Sequence, residues 1–148
     1  MPTPAKTKER WQFPPFAGSA DALHIAQLAS EAGRKQPLAI ISASAADAQR
    51  LLEEIPWFSP NLRVRLLPDW ETLPYDSFSP HHDLVSERLA TLYSVMRHEF
   101  DVLLIPASTA AYRLAPPAYL AAYTFFLKQG ETLAAETFKG QLTLAGYS

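Results

Sequence analysis

Cysteine is absent from the 148 residues. That removes disulfides, thiol nucleophiles, iron–sulfur clusters and cysteine-type zinc sites together. An excess of either charge is missing too: 13 lysines and arginines stand against 15 aspartates and glutamates, a formal net charge of −2. A field that weak pulls the chain neither onto nucleic acid nor onto anionic lipid, which disfavours a basic clamp. No apolar run approaches the roughly 20 residues needed to cross a bilayer. The polar opening from Met1 to Arg10 lacks the apolar stretch of a signal peptide. These absences point to a cytoplasmic protein with no membrane partner. Glycine is sparse, at 5 residues, and no repeat or low-complexity tract interrupts the chain.

Proline is plentiful, at 13 residues, and it punctuates. Each proline lacks an N–H and restricts the residue before it, so prolines fall where helices and strands end. Between them the hydrophobic period alternates. From Ser19 to Gly33 the residues Ala22, Ile25, Ala26 and Ala29 recur at helical spacing, with Ser19 as N-cap and Gly33 as the stop. Leu38 to Ile41 is a continuous apolar run of the kind buried on both faces of a parallel sheet. Ser44 and Asp47 form a capping box for a second helix. Its stripe is Ala48, Leu51, Leu52 and Ile55, and Pro56 ends it. Arg63–Leu67 reads as a strand, followed by a long loop from Pro68 to about His82. A third helix to about Arg97 carries Val85, Leu89, Leu92 and Met96, and Val102–Ile105 is another buried strand. Short helices follow near Ser108–Leu114 and Pro117–Ala122.

Strands alternating with helices at these lengths make right-handed crossover units. The fold class expected is α/β, a parallel sheet with helices on both faces. Residues 1–15 read as a flexible N-terminus and 16–122 as this domain. The tail behaves differently: Phe125–Leu127 fits a strand, Gly130 a turn and Leu133–Ala145 a helix weakened by Gly140 inside it. Residues 123–148 therefore read as the beginning of a second module, incomplete at Ser148.

Two segments are candidates for chemistry. Gly18-Ser19-Ala20-Asp21-Ala22 opens the first helix, where N-terminal amides and the helix dipole attract anions. A working phosphate loop needs a lysine for the outer phosphates and a hydroxyl for Mg²⁺. Asp21 and Ala22 stand at those two positions, and neither can do the work. The segment is either an ordinary capped helix start or a nucleotide loop that no longer functions. The second segment, Leu67–Asp83, gathers Asp69, Glu71, Asp76 and Asp83 with Trp70, Tyr75 and Phe78 and with His81 and His82. Asp69 and Glu71 are a possible acid–base pair, and His81, His82 and Asp83 possible metal ligands. Adjacent histidines at a helix start point about 100° apart, which makes them poor co-ligands. A packed surface loop is the plainer reading. His24 and His98 sit singly on helix faces and are expected in solvent.

The stretch Asp69-Trp70-Glu71-Thr72-Leu73-Pro74-Tyr75-Asp76-Ser77-Phe78-Ser79-Pro80, continuing through the helix to Val95, is long and unusual. It closely resembles the N-terminal segment of the bacterial transcription-repair coupling factors, the Mfd family. The resemblance runs from about Phe16 to Tyr147. A looser likeness joins the chain to the damage-recognition protein UvrB, including the strand Val102–Ile105 followed by Pro106-Ala107-Ser108.

The resemblance implies a large ATP-dependent DNA translocase that displaces RNA polymerase stalled at a lesion and recruits UvrA for nucleotide excision repair. It places ATP, Mg²⁺, double-stranded DNA and polymerase on domains outside this chain. The segment itself is then a degenerate helicase-like domain, similar to UvrB, with no cofactor, catalytic residue or metal of its own. Gly18–Ala22 falls where UvrB carries its phosphate loop, and the short insertion before the third helix implies loss of the UvrB β-hairpin. Residues 16–122 would form a scaffold whose sheet is completed by later strands. Residues 123–148 would begin the UvrA-binding module, whose contacts lie mostly beyond Tyr147 and map to no residue here. The family-signature loop is Asp69, Trp70, Glu71, Pro74, Tyr75, Asp76, Phe78 and Pro80, and the segment as a whole would make autoinhibitory contacts with the rest of the protein; the charge and aromatics of Asp69–Asp76 mark that loop as a candidate intramolecular contact surface. The alternative is an independent small α/β metal-dependent hydrolase using His81, His82 and Asp83.

Overall fold

The computed structural model describes residues 12–31, 36–70, 72, 77, 80–118, 120, 130, 132 and 134–144. Three parallel strands, β1 (Leu38–Ser42), β2 (Val64–Leu66) and β3 (Val102–Pro106), stand in the order β1-β3-β2. Helix α1 (Ala20–Ala29) precedes β1. Helix α2 (Ala45–Phe58) connects β1 to β2, and α3 (His82–Met96) connects β2 to β3. A single turn, α4 (Ala107–Ala110), follows β3, and α5 (Ala135–Leu144) lies in the tail.

The strand order dictates where the helices go. The first crossover passes over the β3 position in one direction, and the second returns in the other. Right-handed crossovers running in opposite directions must lie on opposite faces. The core residues agree. Leu38, Val102 and Val64 form one row across the sheet, and Ile40, Leu104 and Leu66 the next. Both rows pack under Ala22, Ile25 and Ala26 of α1 and Ala48, Leu51 and Ile55 of α2. On the opposite face Leu103 meets Phe100 and Leu67, with Leu92 and Val95 of α3 against them. The expected α/β class, parallel sheet and helices on both faces are all present.

Several local expectations are corrected. Helix α2 passes through Pro56 to Phe58, because a proline in the last turn removes only one intrahelical bond and α2 is held by its packed face. Helix α1 ends at Ala29, and Ser19 caps it without a side-chain hydrogen bond; Gly33 lies outside the described residues. Strand β1 is not buried on both faces: it alternates, with Ala39 exposed and Ile41 65% exposed. An edge strand has only one neighbour, and the α3-side cluster takes in Leu103 and Ile105 of β3 but no residue of β1. The central strand β3 does behave as expected of a doubly covered strand. Helix α3 turns a different face inward from the one its leucines suggest. Its buried residues are Arg88 and Thr91, whereas Val85, Leu89, Leu92 and Met96 are half-buried.

The capping box is seen, with one change. The Asp47 N–H donates to Ser44 Oγ at 3.1 Å, and the Asp47 carboxylate accepts from the same hydroxyl at 2.8 Å. Helix α3 closes in a Schellman pattern, His98 N–H to Val95 C=O (3.2 Å) and Glu99 N–H to Ser94 C=O (2.9 Å). His98 occupies the left-handed position, φ +55°, where glycine is usual. His98 is exposed as expected; His24 is not, its ring lying 4.9 Å and 5.2 Å from those of Phe13 and Phe16. The turn after β3 is shorter than expected, four residues from Ala107. Residues 125–127 lie outside the described ones. Gly130 has φ +88°, fitting the expected turn, and α5 runs through Gly140.

Candidate functional site

The loop ahead of α1 turns at Gly18, whose φ of +55° suits a residue without a Cβ. One turn later the Asp21 carboxylate is fully engaged. Its Oδ1 accepts from the Ala22 N–H at 2.8 Å and from Arg50 Nη1 at 3.2 Å, and its Oδ2 accepts from Arg50 Nη2 at 2.7 Å. Arg50 Nη1 also donates to Glu54 Oε2, one turn along α2, at 2.7 Å. The Arg50 guanidinium, helped by the Ala22 amide, holds the Asp21 carboxyl below its ordinary pKa. The same carboxylates push Arg50 upward, Asp21 first among them. Ala22 faces inward and is fully buried in the α1–α2 core. The start of α1 therefore presents a carboxylate already paired to a guanidinium.

A second constellation lies at the carboxyl ends of the strands, the usual place for function on an open parallel sheet. A cavity of about 470 Å³ opens there, between Ala45, Ala46 and Gln49 of α2, Leu84 and Glu87 of α3, and Leu66, Pro68, Asp69 and Pro106. Beside it Arg88 is 2% exposed. Its Nη1 donates to the Pro68 carbonyl, and its Cζ lies 4.2 Å from the centroid of the Trp70 ring. Burial pushes the Arg88 pKa down, and the nearby Asp69 charge opposes that shift. One turn away on α3, Thr91 Oγ1 donates to the Leu66 carbonyl at 3.0 Å. The Ser108 hydroxyl donates to Asp69 Oδ2 at 2.6 Å, and this bond chiefly holds the Asp69 carboxyl below its ordinary pKa. The end of β2 is thus fastened to α3 on one side and to the β3–α4 junction on the other.

These arrangements sort the residues singled out from sequence. Asp69 and Trp70 are half-buried members of the fastening, and Pro80 is half-buried. Glu71, Pro74, Tyr75, Asp76 and Phe78 lie outside the described residues. A general acid at neutral pH needs a raised carboxyl pKa, and Asp69 is shifted the other way. His81, His82 and Asp83 are exposed, and His81 Nδ1 caps α3 by accepting from the Asp83 N–H at 3.3 Å. Among the described residues no three histidine or acidic side chains come together around a common point. No described helix is long and apolar enough to cross a membrane. Sequence reasoning missed Arg50, Arg88, Thr91 and Ser108. For α3 a signal was present: Arg88, Thr91, Leu92 and Val95 are themselves spaced as one helical stripe, two of its members polar.

The described residues define a parallel α/β domain with a polar fastening at the carboxyl ends of its strands. No protein-family model matches the chain. It is 38% identical over 97% of its length to the transcription-repair-coupling factor of Escherichia coli K12, and 37% identical over 86% to that of Haemophilus influenzae. A 79-residue stretch, 53% of the chain, is 37% identical to the transcription-repair-coupling factor of Mycobacterium tuberculosis. The chain spans 12% of the length of the E. coli relative and 11% of the H. influenzae one. It belongs to the transcription-repair-coupling factor family, as one region of such a protein.

Proposed function

We propose that this chain is the non-catalytic scaffold at the front of a transcription-repair coupling factor. On this reading residues 16–122 are a degenerate, UvrB-like helicase domain. Residues 123–148 begin the module that recruits UvrA. ATP, Mg²⁺, DNA and RNA polymerase are engaged by domains outside the chain, in the cytoplasm, and ATP drives displacement of polymerase stalled at a lesion. The scaffold carries the UvrA-binding module and restrains the rest of the protein through intramolecular contacts, for which the Asp69–Pro80 segment is the candidate surface.

The observation that carries this reading is Asp21, at the lysine position of the loop, with its carboxylate paired to Arg50 at 2.7 Å. A phosphate group arriving there meets negative charge. The edge strand β1, paired on one side among the described residues, fits a sheet that further chain completes. The hydrolase reading gains no comparable support, because its three residues stand in solvent with His81 used as a cap. Titration with a fluorescent ATP analogue and Mg²⁺ tests the proposal. The expected result is no saturable binding to this chain. Micromolar binding displaced by unlabelled ATP overturns it.

A further inference from the structure

A lost lysine would be enough to weaken a phosphate loop, but this one has something set in its place. Asp21 is bonded at both oxygens to Arg50, which reaches from α2 across to the start of α1. Arg50 in turn is shared with Glu54. The three side chains carry one positive and two negative charges. Both terminal nitrogens of the guanidinium point at local carboxylates.

We infer that the Asp21–Arg50–Glu54 network is an internal closure of the loop position: Asp21 acts as a built-in anion and straps α1 to α2 in the same contact. The inference rests on the reading above of this loop as one that takes no nucleotide, and adds its physical cause. The Ala22 N–H and the guanidinium both donate to the Asp21 carboxylate, and the Ala20 N–H is taken by the Ala17 carbonyl. A carboxylate and a phosphate compete for the same donors, and the intramolecular one needs no association step. The third member, Glu54, leaves the trio net negative, which repels a further anion.

A direct consequence concerns reversal. Asp21→Lys with Ala22→Thr restores the side chains of a phosphate loop on paper. In this fold it sets an ammonium against the Arg50 guanidinium and pushes a hydroxyl into the α1–α2 core, where Ala22 is fully buried. The loop cannot be reopened at positions 21 and 22 alone.

The test compares the natural full chain with Asp21→Lys, Arg50→Glu and the combined exchange. Each single replacement is expected to lower the melting midpoint by about 3 °C, and the exchange to recover at least half of the summed loss. Single losses that simply add in the exchange overturn the inference. A second readout is specific to the pair. The Asp21 carboxyl, followed by carbon NMR, is expected to titrate below the ordinary carboxylate range in the natural chain and to rise in Arg50→Gln. A titration that Arg50→Gln leaves unmoved overturns the inference. Pyrophosphate added to the natural chain separates this inference from the reading beneath it. Absent coupling with no pyrophosphate binding sinks the closure alone, whereas saturable pyrophosphate binding sinks both.

Discussion

The two faces of the sheet are built on different principles. Under α1 and α2 the contact is apolar throughout: alanine, isoleucine and leucine over the rows Leu38–Val102–Val64 and Ile40–Leu104–Leu66. Under α3 the apolar contact is small and polar side chains complete it, with Arg88 and Thr91 bonded to the carbonyls of Pro68 and Leu66. The first face resists by area, which is non-directional and tolerates sliding. The second resists by hydrogen bonds in a water-poor place, which fix position closely and fail abruptly when one partner is lost. A sheet whose strand ends must stay in register gains from having one face of each kind.

Breaking the apolar face is expected to do the most damage. Leu104 is fully buried at the centre of the α2 side, and Leu104→Ala is expected to cost about 3 kcal/mol, read from urea unfolding. A cost under 1 kcal/mol would mean that this face is not the main store of stability. The polar face comes second. Arg88→Met keeps most of the side-chain volume but leaves the Pro68 carbonyl without its donor and removes the charge over Trp70. The expected cost is about 2 kcal/mol, together with a changed Trp70 emission. A neutral Arg88→Met would show that the buried guanidinium costs as much to desolvate as it returns.

That pair of variants also marks where the chain could be read by eye and where it could not. The α2 face was legible from Ala48, Leu51 and Ile55, because burial there follows a simple 3.6-residue period. The α3 face was not, because a period count over apolar residues passes over an arginine and a threonine that point inward. The capping box at Ser44 and Asp47 was legible as a local exchange between neighbouring residues. The partner of Asp21 was not, since Arg50 lies 29 residues away and only the α1–α2 packing brings it near. Exposure of β1 was hidden for a related reason. Leu38-Ala39-Ile40-Ile41 and Val102-Leu103-Leu104-Ile105 are equally apolar runs, and which one becomes central depends on strand order, which no short stretch encodes.

Acid sharpens the comparison with a smaller effect. Asp21 on the α1–α2 side, Asp69 at the strand ends and Asp101 before β3 all have carboxyl pKa values held down, by Arg50, Ser108 and Arg63 respectively. A carboxyl depressed in the folded state stabilises fully above its unfolded value near 4. The contribution is lost as pH falls through the depressed folded value. The melting midpoint is therefore expected to stay level from about pH 7 to 5 and to fall below about pH 4. Asp21→Asn should blunt the fall more than Asp69→Asn, because Asp21 accepts two bonds from the charged Arg50 whereas Asp69 is held chiefly by the neutral Ser108 hydroxyl. Equal blunting would place the two carboxylates in equivalent surroundings and weaken the contrast between the faces.

The smallest effect is expected where the α3 side gives out. Ile41 is 65% exposed on β1, in the row with Ile105, and no described helix covers it. Ile41→Thr removes apolar surface that this chain leaves in water and keeps a β-branched side chain suited to a strand. Its expected cost here is within about 0.5 kcal/mol. In a longer coupling factor the same change has a different expected result. If later chain packs over this face, Ile41 becomes buried, and the substitution then places a hydroxyl in a core and costs about 1–3 kcal/mol. Measured in both settings, a loss that appears only in the longer protein assigns the bare face to an intramolecular joint. Equal and negligible losses would leave Ile41 as an ordinary exposed residue, and the asymmetry between the faces would then belong to this domain alone.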